Sequence, residues 1–143
     1  MKPLFIPQIP TEAVSYVPTL FGNLDEAIRG FCKSNLIVVG GRPAMGVRSF
    51  VLTMACRQAW QGHKVACFFM SLTTNNLVER TNHIYEYYKQ PKTSASPAFY
   101  LEPQLSIDSL HSEIERLKNG AAVDIVYVES LQGIGLGDRI SIR

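Results

Sequence analysis

Leu36-Ile-Val-Val-Gly-Gly-Arg-Pro-Ala-Met-Gly-Val-Arg-Ser49 changes character twice. Leu36 to Val39 is an apolar run that predicts a strand, and Gly40 to Gly46 is a glycine-rich turn. From Val47 the apolar residues Val47, Phe50, Val51, Met54 and Ala55 recur at the three-and-four spacing of a helix. Strand, glycine turn and helix together are the layout of a phosphate-binding loop, in which backbone N–H groups and a helix N-terminus face an anion. Gly41 and Gly46 have the separation found in G-x-x-x-x-G-K-[ST]. The next two positions depart from it. Val47 stands where a lysine grips the β- and γ-phosphates, and Arg48 stands where a hydroxyl holds Mg²⁺. Reading Arg48-Ser49 as the Lys-Ser pair needs one more residue in the loop and turns the helix by about 100°. That turn carries the apolar face after Val47 away from the sheet, so the register is kept.

Outward from this stretch the chain alternates between strands and helices. Residues 1–15, with Pro3, Pro7 and Pro10 among isolated apolar residues, predict an extended N-terminal arm, lying across the domain or against a partner. Residues 16–143 then form one domain. Gly22 to Phe31 predicts a short helix with Asn23 as N-cap and Gly30 at its end. The helix after the loop runs to about Gln61, with Gly62 at C′. Lys64 to Met70 is nearly all apolar, the mark of a strand covered on both faces. A helix from about Asn75 to Gln90 follows, with Leu77, Ile84 and Tyr88 inward and Val78 and Tyr85 widening the stripe. Ala98 to Leu101 is a short strand. Ser106 caps a third helix whose apolar positions are Ile107, Leu110, Ile114 and Leu117, and Val123 to Val128 is another buried strand. Strands joined by helices through short turns imply βαβ units, hence an α/β fold with a parallel sheet sandwiched by helices.

With 143 residues the chain is long enough to bury a core, and its formal net charge of +2 is too small to argue for nucleic acid. Arg42, Arg48, Arg57, Lys64, Lys89, Lys92, Arg116 and Lys118 are scattered rather than striped. Cys32, Cys56 and Cys67 lack metal-ligand spacing and read as reduced core thiols. His63, His83 and His111 likewise form no metal pair. No stretch is apolar enough to span a bilayer and no signal core is visible, so a cytoplasmic protein is expected. Tyr85, Tyr87 and Tyr88 look like a base-stacking set, but their helical spacing favours packing.

The order of these motifs resembles the C-terminal, RecA-like motor domain of bacterial and phage replicative helicases of the DnaB type. Val17-Pro-Thr-Leu-Phe-Gly-Asn-Leu-Asp25 is similar to the family's Pro-Thr-Gly turn and Leu-Asp. Arg29 to Ile37 parallels its Gly-Gly-Leu…Gly-Asp-Leu-Ile entry. Arg42-Pro43-Ala44-Met45-Gly46 is close to the Arg-Pro-Ser-Met-Gly of its phosphate loop. Phe68 to Arg80 follows the strand and helix bearing Ser-Leu-Glu-Met-Ser, and Val126 to Gln132 resembles its Walker B strand. The resemblance implies a RecA-like, P-loop NTPase fold, here truncated after Walker B.

It also implies roles for single residues. Gly41, Arg42, Pro43, Ala44, Met45, Gly46, Val47, Arg48 and Ser49 would be a vestigial nucleotide-binding loop. Glu129 and Gln132 would be a vestigial Walker B, and Ser71 would stand where the family has its water-activating glutamate. Phosphoryl transfer depends on positioning and charge neutralisation, and one such contact is worth roughly 3–4 kcal/mol. Loss of the lysine, the metal hydroxyl and the base together predicts no turnover, no catalytic residue, no metal and no cofactor beyond weak phosphate or nucleotide binding. The leading expectation is an inactive motor homologue acting as a protein-binding, assembly or regulatory module in DNA replication. Its partner would be a replicative helicase or a second copy, with no membrane involved. The alternatives are an ATP-dependent helicase or ATPase that uses Arg48 and Glu129 as substitutes, and a non-catalytic nucleic-acid-binding module.

Overall fold

The computed structural model describes residues 15–33, 35–129 and 134. The expected arm, except for its last residue, lies outside them, as do Gln132 and the tail apart from Ile134. The chain divides into a unit spanning Met1–Ile37 and a unit spanning Val38–Arg143.

In the first unit, β1 (Tyr16–Val17) pairs antiparallel with β2 (Phe31–Cys32) around α1 (Gly22–Ile28). This small antiparallel ribbon was not foreseen from the sequence. Its anchor is Asp25, whose carboxylate accepts from Thr19 N at 2.8 Å, Thr19 Oγ1 at 2.7 Å and Leu20 N at 2.8 Å. Thr19 is fully buried by this arrangement. Leu20 has φ 67, a left-handed conformation at the position where the Pro-Thr-Gly turn described above has glycine. Asn23 is not the N-cap. Phe21 holds that position without a side-chain cap, because the acid of the first turn reaches back to the preceding loop.

The second unit is built on a parallel sheet of order β4-β3-β5, comprising β3 (Val65–Phe69), β4 (Ala98–Leu101) and β5 (Ile125–Val128). Every residue of β3 is buried, as its unbroken apolar run predicts for a central parallel strand. The period of two divides that run between two cores. Val65, Cys67 and Phe69 pack with Leu52, Ala55, Cys56 and Ala59 of α2 (Val47–Trp60) and Leu77 and Tyr85 of α3 (Thr74–Tyr87). Ala66 and Phe68 pack with Leu105 and with Leu117 of α4 (Ile107–Ala121). Each phenylalanine buried this way contributes roughly 1.5–3 kcal/mol.

Several expectations are corrected. Leu36 to Val39 is not a strand: it makes no ladder among the described residues, and Leu36 and Val38 are 92% and 69% exposed. A strand gains stability only from a paired neighbour and covered faces, and this run has neither. Of the stripe starting at Val47, Met54 and Ala55 are fully buried but Val47, Phe50 and Val51 only half-buried, and the face of α2 packed on β3 is Leu52, Ala55, Cys56 and Ala59. Apolar residues lie almost all round this helix, so periodicity could not choose its inner face. Val78 and Ile107 are exposed, at 52% and 50%. Ser106 does cap α4, in a capping box with Ser109.

Candidate functional site

The loop after Gly40 enters α2 through Gly46, whose φ of 80 favours glycine. Residues 40–46 are all exposed, and Met45 N donates to Arg42 O at 3.2 Å to close the turn. Val47 lies against Gly41: a Cβ on that glycine would sit 2.6 Å from Val47 Cγ2. The aliphatic side chain at the lysine position therefore packs back on the loop. It offers no charge to a phosphate.

Arg48, second residue of α2, points to the strand ends. Its Nε donates to Glu129 Oε1, and its Nη2 donates to Ser71 Oγ at 2.7 Å. Ser71 Oγ in turn donates to Glu129 Oε1 at 3.1 Å. Three elements supply this triangle. Ser71 lies just beyond β3, and Glu129 just beyond β5, held in register by its N–H donating to Phe68 O at 2.8 Å. The Glu129 side chain is 11% exposed and that of Arg48 38%. Glu129 Oε2 is buried and has no hydrogen-bond partner among the described residues. Glu129 is thus an ion-paired acid at the foot of the loop rather than a solvated one.

The structure brings Arg48, Ser71 and Glu129 together and leaves the other loop residues apart from them. Arg42 is exposed, and Ser49 faces away, accepting from Arg80 Nη1 at 3.3 Å. Gln132 lies outside the described residues. Sequence reasoning named Arg48 and Glu129 as separate substitutes and missed that they pair with each other. A signal existed: a cation gained where a hydroxyl is normal, opposite a retained acid.

A second feature is a groove of about 740 Å³ between α2 and α3, lined by Ser49, Leu52, Thr53, Arg80, His83, Ile84, Glu86, Tyr87 and Tyr88. The tyrosines divide in their roles. Tyr85 is buried with its hydroxyl donating to Ala95 O at 2.9 Å, and Tyr88 lies under Arg57 at 4.9 Å, whereas Tyr87 is 80% exposed. Packing therefore claims two of the three. Among the described residues no group of His, Cys, Asp and Glu is arranged to hold a metal ion, and no helix is long and apolar enough to cross a membrane.

The family described as DnaB-like helicase C terminal domain matches residues 16–86. Replicative DNA helicase DnaB of Geobacillus stearothermophilus is 35% identical over 68 residues, which are 47% of this chain and 15% of that protein. A probable replicative DNA helicase of Trieres chinensis is 26% identical over 136 residues, 78% of this chain and 30% of that protein. The chain therefore spans less than a third of the length of these relatives. The solved ATPase domain of G40P superposes with a TM-score of 0.71 at 14% identity, covering 90% of this chain and 54% of that one. That likeness is one of fold. Residues 16–86 thus match the DnaB-like helicase C-terminal domain family, and the α/β fold of the chain is that of a RecA-like ATPase domain.

Proposed function

We propose that this chain is a non-hydrolysing relative of the replicative-helicase motor, acting as a protein-binding, assembly or regulatory module in DNA replication. The observation that carries the reading is the closed triangle of Arg48, Ser71 and Glu129. The retained acid is neutralised by an internal arginine, the position of the water-activating glutamate holds a hydroxyl, and the lysine position holds Val47. Among the described residues the one acid there is paired with Arg48, and that arginine's charge is spent on the acid rather than on a transferring phosphoryl group. Loop backbone and helix N-terminus remain, which supports at most weak phosphate or nucleotide binding.

A partner role is supported by the surfaces left open. Among the described residues β5 is paired on one side only, and the apolar run at Leu36 to Val39 is exposed. Open strand edges and apolar segments are the features through which chains associate. The partner in this reading is a replicative helicase subunit or a second copy.

Steady-state ATP turnover by the purified chain, with and without single-stranded DNA, tests the hydrolysis half. Background rates, equal in wild type and Glu129→Gln, are expected. Robust turnover abolished by Glu129→Gln would overturn the reading in favour of an ATPase rebuilt around unusual residues.

A further inference from the structure

The N-terminus of α2 and the ends of β3 and β5 meet around a cation that belongs to the protein itself. Glu129 Oε1 accepts from both the Arg48 guanidinium and the Ser71 hydroxyl, and Arg48 Nη2 reaches the same hydroxyl at 2.7 Å. A carboxylate and a hydroxyl at adjacent strand ends are oxygen donors of the kind that hard divalent cations take, alongside waters. Glu129 Oε2, buried and with no hydrogen-bond partner among the described residues, is a further donor in the same place. The Mg²⁺ that the family resemblance implies does not fit this donor set as it stands. The guanidinium lies on both donors, and its charge repels a second cation at such range.

We infer that Arg48 is a resident substitute for a divalent cation: it closes the ends of β3 and β5 to Mg²⁺, and its removal opens a cation site on Glu129 and Ser71. The hydroxyl and acid are thus retained in a metal-like arrangement whose positive charge can neither dissociate nor exchange. The inference deepens the non-hydrolysing reading above and rests on it only for the choice of site. Its test does not involve turnover, so the two fail separately.

The probe is Mn²⁺ added to the full chain, read as paramagnetic broadening of the Ser71 and Glu129 amide resonances. In the wild type these amides should broaden no more than surface amides elsewhere. In Arg48→Ala they should broaden selectively, at about tenfold lower Mn²⁺ or less, because a unit positive charge has left and a carboxylate has been freed. Arg48→Ala combined with Glu129→Gln should return to the wild-type response. Selective broadening in the wild type that Glu129→Gln removes would overturn the inference, as would an Arg48→Ala protein that gains none. Arg48→Met keeps the length of the stem and the helix propensity without the charge, and takes the place of Arg48→Ala if that variant does not fold.

Discussion

Arg48 and Glu129 are unequal partners, with side chains 38% and 11% exposed. Deleting the arginine leaves a mostly buried carboxylate without its charge partner, whereas Glu129→Gln leaves a neutral amide able to accept from the same guanidinium. The first loss is the more costly, because an uncompensated buried charge carries its full desolvation penalty. In urea unfolding with EDTA present, Arg48→Ala should cost about 1–3 kcal/mol and Glu129→Gln less. The double variant should show a coupling of about 1 kcal/mol or more. Additive effects would mean that the pair contributes nothing to the fold and is held together by its surroundings. Thr19 and Asp25 show the same logic: a fully buried hydroxyl is tolerated because it donates a hydrogen bond to a carboxylate.

Among the elements, the β1–β2 ribbon depends on one backbone approach. Gly30 has φ +96, and a Cβ there would lie 2.6 Å from Val17 O. Backbone cannot yield as a flexible side-chain tip does, and an L-residue with a Cβ pays a further cost in that conformation. Gly30→Ala should therefore destabilise the ribbon by at least about 1–2 kcal/mol. Amide hydrogen exchange would register this as lost protection in residues 16–32, with residues 65–69 unchanged. Equal loss in both segments would show that the ribbon does not open separately. In the second unit, α4 carries its own start signal in the Ser106–Ser109 capping box, and α2 depends instead on the glycine turn before it.

At the scale of the whole sheet, the core between β3 and α2 holds titratable groups that are buried in their neutral forms. Burial pushes the Cys56 thiol from its usual 9.0 up to about 12. Cys67 is raised by burial and then by Cys56 beside it, and Tyr127 by burial and then by Cys67. Tyr127 donates to the buried Gln58 Oε1 at 2.7 Å, which ties the centre of β5 to α2. Each of these groups holds its proton more tightly when folded than when unfolded. Their contribution to stability is therefore complete below about pH 9 and is lost as the pH rises toward 12. Denaturant midpoints should be insensitive to these groups from neutrality to about pH 8.5 and fall progressively above it, with Cys67→Ala flattening the decline. A midpoint unchanged up to pH 10 would show that the thiols are not buried in solution.

The sequence by itself determined the alternation of strands and helices and the family that residues 16–86 match. Val65 to Phe69 announces a central strand because nothing polar interrupts it, and Ser106 and Gly46 mark helix starts through chemistry local to the chain. It also named Arg48 and Ser71 as departures and Glu129 as a retained acid. What it left open depends on contacts between distant residues. Leu36 to Val39 has the composition of a strand but no paired neighbour, and composition does not supply one. The inner face of α2 could not be read from a helix apolar on most sides. The triangle itself joins Arg48 to a residue 23 positions away and to another 81 positions away. Only the sheet order β4-β3-β5, which sets the ends of β3 and β5 side by side, turns these three separate residues into one closed site.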